Sequence, residues 1–184
     1  MGFLPNNYKI PTVSDYMKFA KGKNKFRVLD SAIVGHEYWM DIDGKRVHKR
    51  KRIGEVIPMG EVGEGGLKHF WAFPVFNREN EKIQILQITQ KSIMNAIKDL
   101  TKDDDWGDPK GYDLVVTRTG DGLDTRYSVM PSPKSEIDEG IMAVYEEMNI
   151  NLDLLFSNGD PFSGDPTPKN EEVDPNDIPD IMNF

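Results

Sequence analysis

The sequence predicts a mainly β domain: a small antiparallel barrel with one inserted helix, a helix after the barrel and a disordered acidic tail. Three observations carry this. Short apolar runs rich in β-branched and aromatic residues are bounded by Gly, Asp and Asn turn signals. One stretch between two such hairpins changes to helical period. From Ser157 onward the composition shifts to acids and prolines.

Residues 1–24 read as an irregular N-terminal arm. Pro5 and Pro11 interrupt any helix, and Asn6 and Asn7 favour turns. Lys18, Lys21, Lys23 and Lys25 make its end basic. Strand character begins at Lys25, with Phe26, Val28 and residues 32–34 apolar and Gly35 as a bend. His36 to Asp41 forms a further strand stretch. Asp43-Gly44 is a tight-turn signal. The segment from Lys45 to Arg52 then reads as a basic turn, and the Gly- and Glu-rich residues 55–67 as a surface loop.

His69 to Phe76 and Ile83 to Ile88 pair as a hairpin through a polar connection. Ile93, Ile97 and Leu100 recur at helical spacing within residues 90–102, with Thr89 as the expected cap. Tyr112 to Thr117 and Thr125 to Met130 form a second hairpin around Gly120-Asp121-Gly122. A helix is expected within Glu136 to Leu155. The predicted organisation is therefore an arm (1–24), a barrel core (25–134), a C-terminal helix (135–156) and a tail (157–184). That tail holds five prolines, seven acids and one lysine. Such a segment buries too little apolar surface to offset its ordering entropy.

The chain of 184 residues has 38% hydrophobic residues and a net charge of −8. The charge is split along the chain. Residues 1–100 hold 17 of the 23 Lys and Arg and 11 of the 31 acids; residues 101–184 hold 6 and 20. A basic working part and an acidic appendage follow. The absence of cysteine excludes disulfides, Cys-based zinc sites and thiol nucleophiles. No apolar stretch approaches membrane-spanning length and no signal peptide precedes the domain, so a cytoplasmic protein is expected. No P-loop, nucleophile elbow or metal-ligand spacing occurs, and neither an enzyme nor a cofactor is expected.

Two constellations suit single-stranded nucleic acid. Six cations, Lys45, Arg46, Lys49, Arg50, Lys51 and Arg52, lie within eight residues. Each phosphate that such a cation neutralises releases a condensed counterion. Around them are aromatics on which exposed bases can stack: Tyr38, Trp39, Trp71 and Phe73, with Phe70 and Phe76 nearby. In a strand, Trp71 and Phe73 share one face and Phe70 and Phe76 the other. Lys25, Arg27, Lys68, Arg78 and Lys82 complete the expected DNA-binding set. A third constellation is the acidic C-terminus, in which Asp177, Ile178, Pro179, Asp180, Ile181 and Phe184 offer apolar side chains beside anions to a partner protein.

Several segments resemble the single-stranded DNA-binding proteins of tailed bacteriophages. These are Tyr16-Met17-Lys18-Phe19 through Asn24-Lys25-Phe26-Arg27-Val28-Leu29, then Phe73-Pro74-Val75-Phe76-Asn77, then Ile83 to Ile93. Asp105-Trp106-Gly107-Asp108-Pro109 with Tyr112-Asp113, Leu123-Asp124-Thr125 with Tyr127, and the Pro131-Ser132-Pro133 exit complete the likeness, which covers about residues 16–134. Asp177-Ile178-Pro179 and terminal Phe184 resemble the acidic tip of bacterial single-stranded DNA-binding proteins, although Asp180-Ile181-Met182-Asn183 intervenes before Phe184 here. The resemblance implies an OB-fold barrel and sequence-independent binding of single strands in phage replication, recombination or repair. It also implies a tail that recruits replication or recombination proteins. The competing expectation is a non-enzymatic adaptor or inhibitor that acts on host replication proteins through a DNA-mimicking acidic tail. A metal-dependent nuclease using Asp103 to Asp108 ranks behind both.

Overall fold

A computed structural model describes residues 15–163. The expectations for residues 1–14 and 164–184, including the partner-binding set from Asp177 to Phe184, lie outside the described residues. The strands are β1 (Tyr16–Met17), β2 (Gly22–Val28), β3 (Ile33–Ile42), β4 (Lys45–Arg52), β5 (Lys68–Asn77), β6 (Lys82–Ile88), β7 (Asp113–Thr119) and β8 (Arg126–Pro131). The helices are α1 (Lys91–Lys102) and α2 (Glu139–Met148), with 3-10 turns at Met59–Glu61, Pro109–Gly111, Gly122–Asp124 and Leu152–Ser157.

The expected mainly β class is what the chain forms. Its eight described strands make one sheet in the order β1-β6-β5-β2-β7-β8, with β3 branching from β5 and β4 pairing β3. Every pairing is antiparallel except β1 with β6. The hydrogen-bonded path is open rather than a closed ring. Both hairpins flanking α1 are where the alternation placed them. Lys45 to Arg52 is a strand rather than a turn. Asp43 and Gly44 alone make the reversal, with φ of 49° and 77°, the pair of positive values a two-residue hairpin turn requires.

β5 organises the rest. Its residues 75–77 pair β2 and residues 68–72 pair β3 on the same edge. Between those two partners the chain leaves the ladder at residues 29–32. Pro74 sits opposite this break: its carbonyl accepts from the Leu29 N–H at 3.0 Å, and it has no N–H to offer a continuous strand. The interruption in the β2–β3 edge thus follows from one residue of β5.

Both faces of β5 and β6 are covered, so aromatics of both parities are buried. On the first face, Phe26, Phe73, Val75, Leu86, Ile88, Leu114 and Val116 pack with Ile93, Met94 and Ile97 of α1. Those helix residues carry the expected helical spacing. The helix begins after Gln90 rather than with a Thr89 side-chain cap. On the second face, Phe70, Ala72 and Ile85 pack with Leu155, and Ile150, Leu152, Phe156 and Phe162 join them.

That second cluster corrects the C-terminal boundaries. The expected long helix stops at Met148, where Asn149 adopts φ 47°. The chain then returns to the sheet, and residues 157–163, expected to be tail, belong to the folded unit. Phe162 meets Tyr16 edge-on at 6.2 Å, and the Asn158 side chain donates to the His48 carbonyl at 3.1 Å. Gly35 is part of this packing rather than a bend. A Cβ there would stand 2.6 Å from the Lys51 carbonyl oxygen and 2.9 Å from the Phe156 ring.

Candidate nucleic-acid interface

β3 pairs β5 only through Glu37, whereas its pairing with β4 continues to Ile42 and Lys45. The outer half of the β3–β4 hairpin is therefore a two-stranded ribbon extending past the sheet. Directly paired residues of antiparallel strands share a face, and alternate residues change face. The register consequently divides the basic strand in two.

The first face carries Lys45 opposite Ile42, Val47 opposite Met40, Lys49 opposite Tyr38, and Lys51 opposite His36. His36 in turn faces His69 of β5, their rings 5.5 Å apart. The next row of the same face holds Val34 and Trp71. Trp71 is half-buried and donates its indole N–H to His69 Nε2 at 3.2 Å. None of Lys45, Lys49 and Lys51 has an acidic partner among the described residues. This face thus runs from three lysines without an acidic partner through two imidazoles to an indole.

The second face carries Arg46, His48, Arg50 and Arg52, with Trp39 and Glu37 opposite. Its charges are engaged internally. Glu37 meets His48 at 3.0 Å and Arg50 at 3.8 Å, and accepts from Gln87 at 2.6 Å. Arg52 pairs with Asp153 at 2.9 Å and lies over the Phe156 ring at 4.3 Å. Arg46 lies over Trp39 at 5.0 Å, and His48 stacks on that ring at 4.6 Å. Lys68 shares this face through its pairing with Glu37.

Burial by itself would raise the Glu37 carboxyl. Its hydrogen bond from His48 and the positive charges of His48 and Arg50, with Gln87 adding a further bond, outweigh that and hold it below the usual carboxylate range. A group with a depressed folded value stabilises the fold above its unfolded value, roughly 4.3, and loses that contribution as pH falls through the folded value. Glu37→Gln is expected to cost about 1–3 kcal/mol at neutral pH. The difference from the parent protein should shrink in melts taken at progressively more acidic pH. A difference independent of pH would show that the Glu37 charge contributes nothing.

The remaining expected DNA-binding residues fall elsewhere. Lys25, Arg78 and Lys82 lie at or beside the end of β5 opposite the ribbon. Three are buried and are corrected to structural roles. Arg27 is 1% exposed, because its guanidinium is spent on Asp113 at 2.7 Å, on the Ser135 carbonyl at 2.9 Å and on the Ser135 hydroxyl at 2.8 Å. Tyr38 and Phe73, each 3% exposed, are core side chains rather than exposed stacking platforms.

Sequence reasoning missed His36 and His69, which only the cross-strand register aligns with Lys51. It also missed Lys110, which follows the helix in sequence yet borders the same face. Asp103 is a turn residue: its carboxylate accepts from the N–H groups of Asp105 and Trp106 at 2.8 and 3.3 Å. Among the described residues no helix is long and apolar enough to cross a membrane. No protein-family model matches the chain, and no curated protein matches its sequence.

Proposed function

We propose that this chain is a sequence-independent single-stranded DNA-binding protein of the tailed-bacteriophage kind, acting in DNA replication, recombination or repair. The strand lies along the first face of the β3–β4 ribbon and continues onto β5. The observation that supports this most is the alignment of Lys45, Lys49 and Lys51, free of acidic partners among the described residues, with His36, His69 and the half-buried Trp71. Ammonium groups along a strand edge suit successive phosphates, and an indole at the end of the row suits a base face. The acidic tail, with Asp177, Ile178, Pro179, Asp180, Ile181 and Phe184, recruits replication or recombination proteins; that part rests on the sequence alone.

Stacking needs bases that a duplex conceals. An oligo-dT is therefore expected to bind at least about tenfold tighter than a hairpin duplex with the same number of phosphates. Fluorescence anisotropy at one salt concentration measures both. Equal affinities would reduce the ribbon to a general phosphate binder. No binding of either would favour the adaptor reading, in which the domain is only a platform for the tail.

A further inference from the structure

The break in the β2–β3 edge opposite Pro74 leaves a cleft of about 390 Å³ between the sheet and α1. Its walls are the apolar side chains of Val28, Trp71, Phe73 and Ile97. Its rim is polar, with Asp30 and Ser31 on one side and Thr101, Asp108 and Lys110 on the other. Trp71 belongs both to this cleft and to the lysine–histidine face of the ribbon. Lys110 also borders a second, shallower depression, where Lys134 supplies another ammonium.

We propose that this cleft takes one nucleobase, unstacked from its neighbours and turned out of the bound single strand. The inference rests on the single-strand reading above and deepens it. A base is planar and largely apolar on its faces while polar on its edges. The cleft offers the matching distribution, apolar walls around an indole and the hydroxyls of Ser31 and Thr101 at the mouth. There Asp30 already accepts from the Tyr145 hydroxyl at 2.9 Å, and Asp108 pairs with Lys110. The interior holds no cation, so the phosphates stay outside. Lys110 stands at the mouth, paired with Asp108 at 3.4 Å, and the backbone leaving an inserted base would run past it toward the depression that holds Lys134. The path of the strand is then continuous from Lys45, Lys49 and Lys51 through His36 and His69 to Trp71, and onward to Lys110.

The test uses an oligo-dT carrying one 5-iodouracil, which cross-links to an aromatic ring it stacks against when irradiated. With the full chain, the cross-linked peptide is expected to contain Trp71. Ala32→Trp, at an exposed position on the cleft wall, should fill the cleft, remove that cross-link and lower affinity roughly tenfold. Lys110→Glu leaves the walls intact and should lower affinity in the same direction, so the proposal stays testable if Ala32→Trp fails to fold. Tight binding by the parent chain without a Trp71 cross-link, or with affinity unchanged in Lys110→Glu, would overturn the cleft while leaving the single-strand reading in place. Absence of oligo-dT binding by the parent chain would overturn both.

Discussion

Replacing Lys45, Lys49 and Lys51 together by glutamate is expected to lower affinity for oligo-dT by about two orders of magnitude at ~50 mM salt. Each neutralised phosphate of a single strand contributes a slope near −0.7 in log K against log salt, so three contacts are worth roughly 10²–10³ at that concentration. The three side chains point to one face of an edge strand and have no acidic partner to lose among the described residues. Their loss should therefore leave the melting behaviour close to that of the parent chain. Glutamates at Lys23, Lys91 and Lys98, exposed and outside the ribbon, change the net charge equally and supply the control. Equal losses in the two variants would mean that overall charge, not the ribbon face, governs binding.

Arg27→Ala is expected to destabilise the fold by about 3 kcal/mol or more. The guanidinium is buried against Asp113, which also takes Arg78 through contacts at 3.1 and 3.3 Å. It holds the exit segment as well, since Ser135 accepts from two of its nitrogens. Removing it leaves a buried carboxylate short of one partner and unties residues that follow β8. Arg27→Lys keeps the charge but not the planar fork, and an intermediate loss follows. Denaturant midpoints measure both. DNA affinity separates this role from a phosphate contact: folded Arg27→Lys should bind oligo-dT as the parent does. A variant of unchanged midpoint with weakened DNA binding would return Arg27 to the interface.

The contrast between those two sets of cations marks where sequence reasoning reached its limit. Period-two alternation and the Asp43-Gly44 turn specify hairpins because a strand's side-chain period and a turn's positive φ are local properties. The α1 pattern of Ile93 and Ile97 is equally local. Which cations face solvent is not. Arg27 and Lys49 look alike in sequence, yet Arg27 lies opposite Asp113 while Lys49 lies opposite Tyr38 on the two-stranded ribbon, where no acid pairs with it among the described residues. The same holds for aromatics: Phe73 and Trp71 share a face and both border the cleft, but Phe73 is packed into the core against α1 whereas Trp71 stays half-buried. The docking of residues 157–163 escaped a compositional reading, because Phe162 extends a cluster of anchors already begun by Ile150, Leu152, Leu155 and Phe156, and one apolar side chain barely alters the composition of a polar stretch.

The most direct test of the central claim is the affinity of the full chain for oligo-dT over a series of salt concentrations. Contacts from Lys45, Lys49 and Lys51 predict a linear dependence with a slope of about −2 or steeper, largely lost when the three lysines become glutamate. Salt-independent binding, or no binding at the lowest salt, would contradict the account.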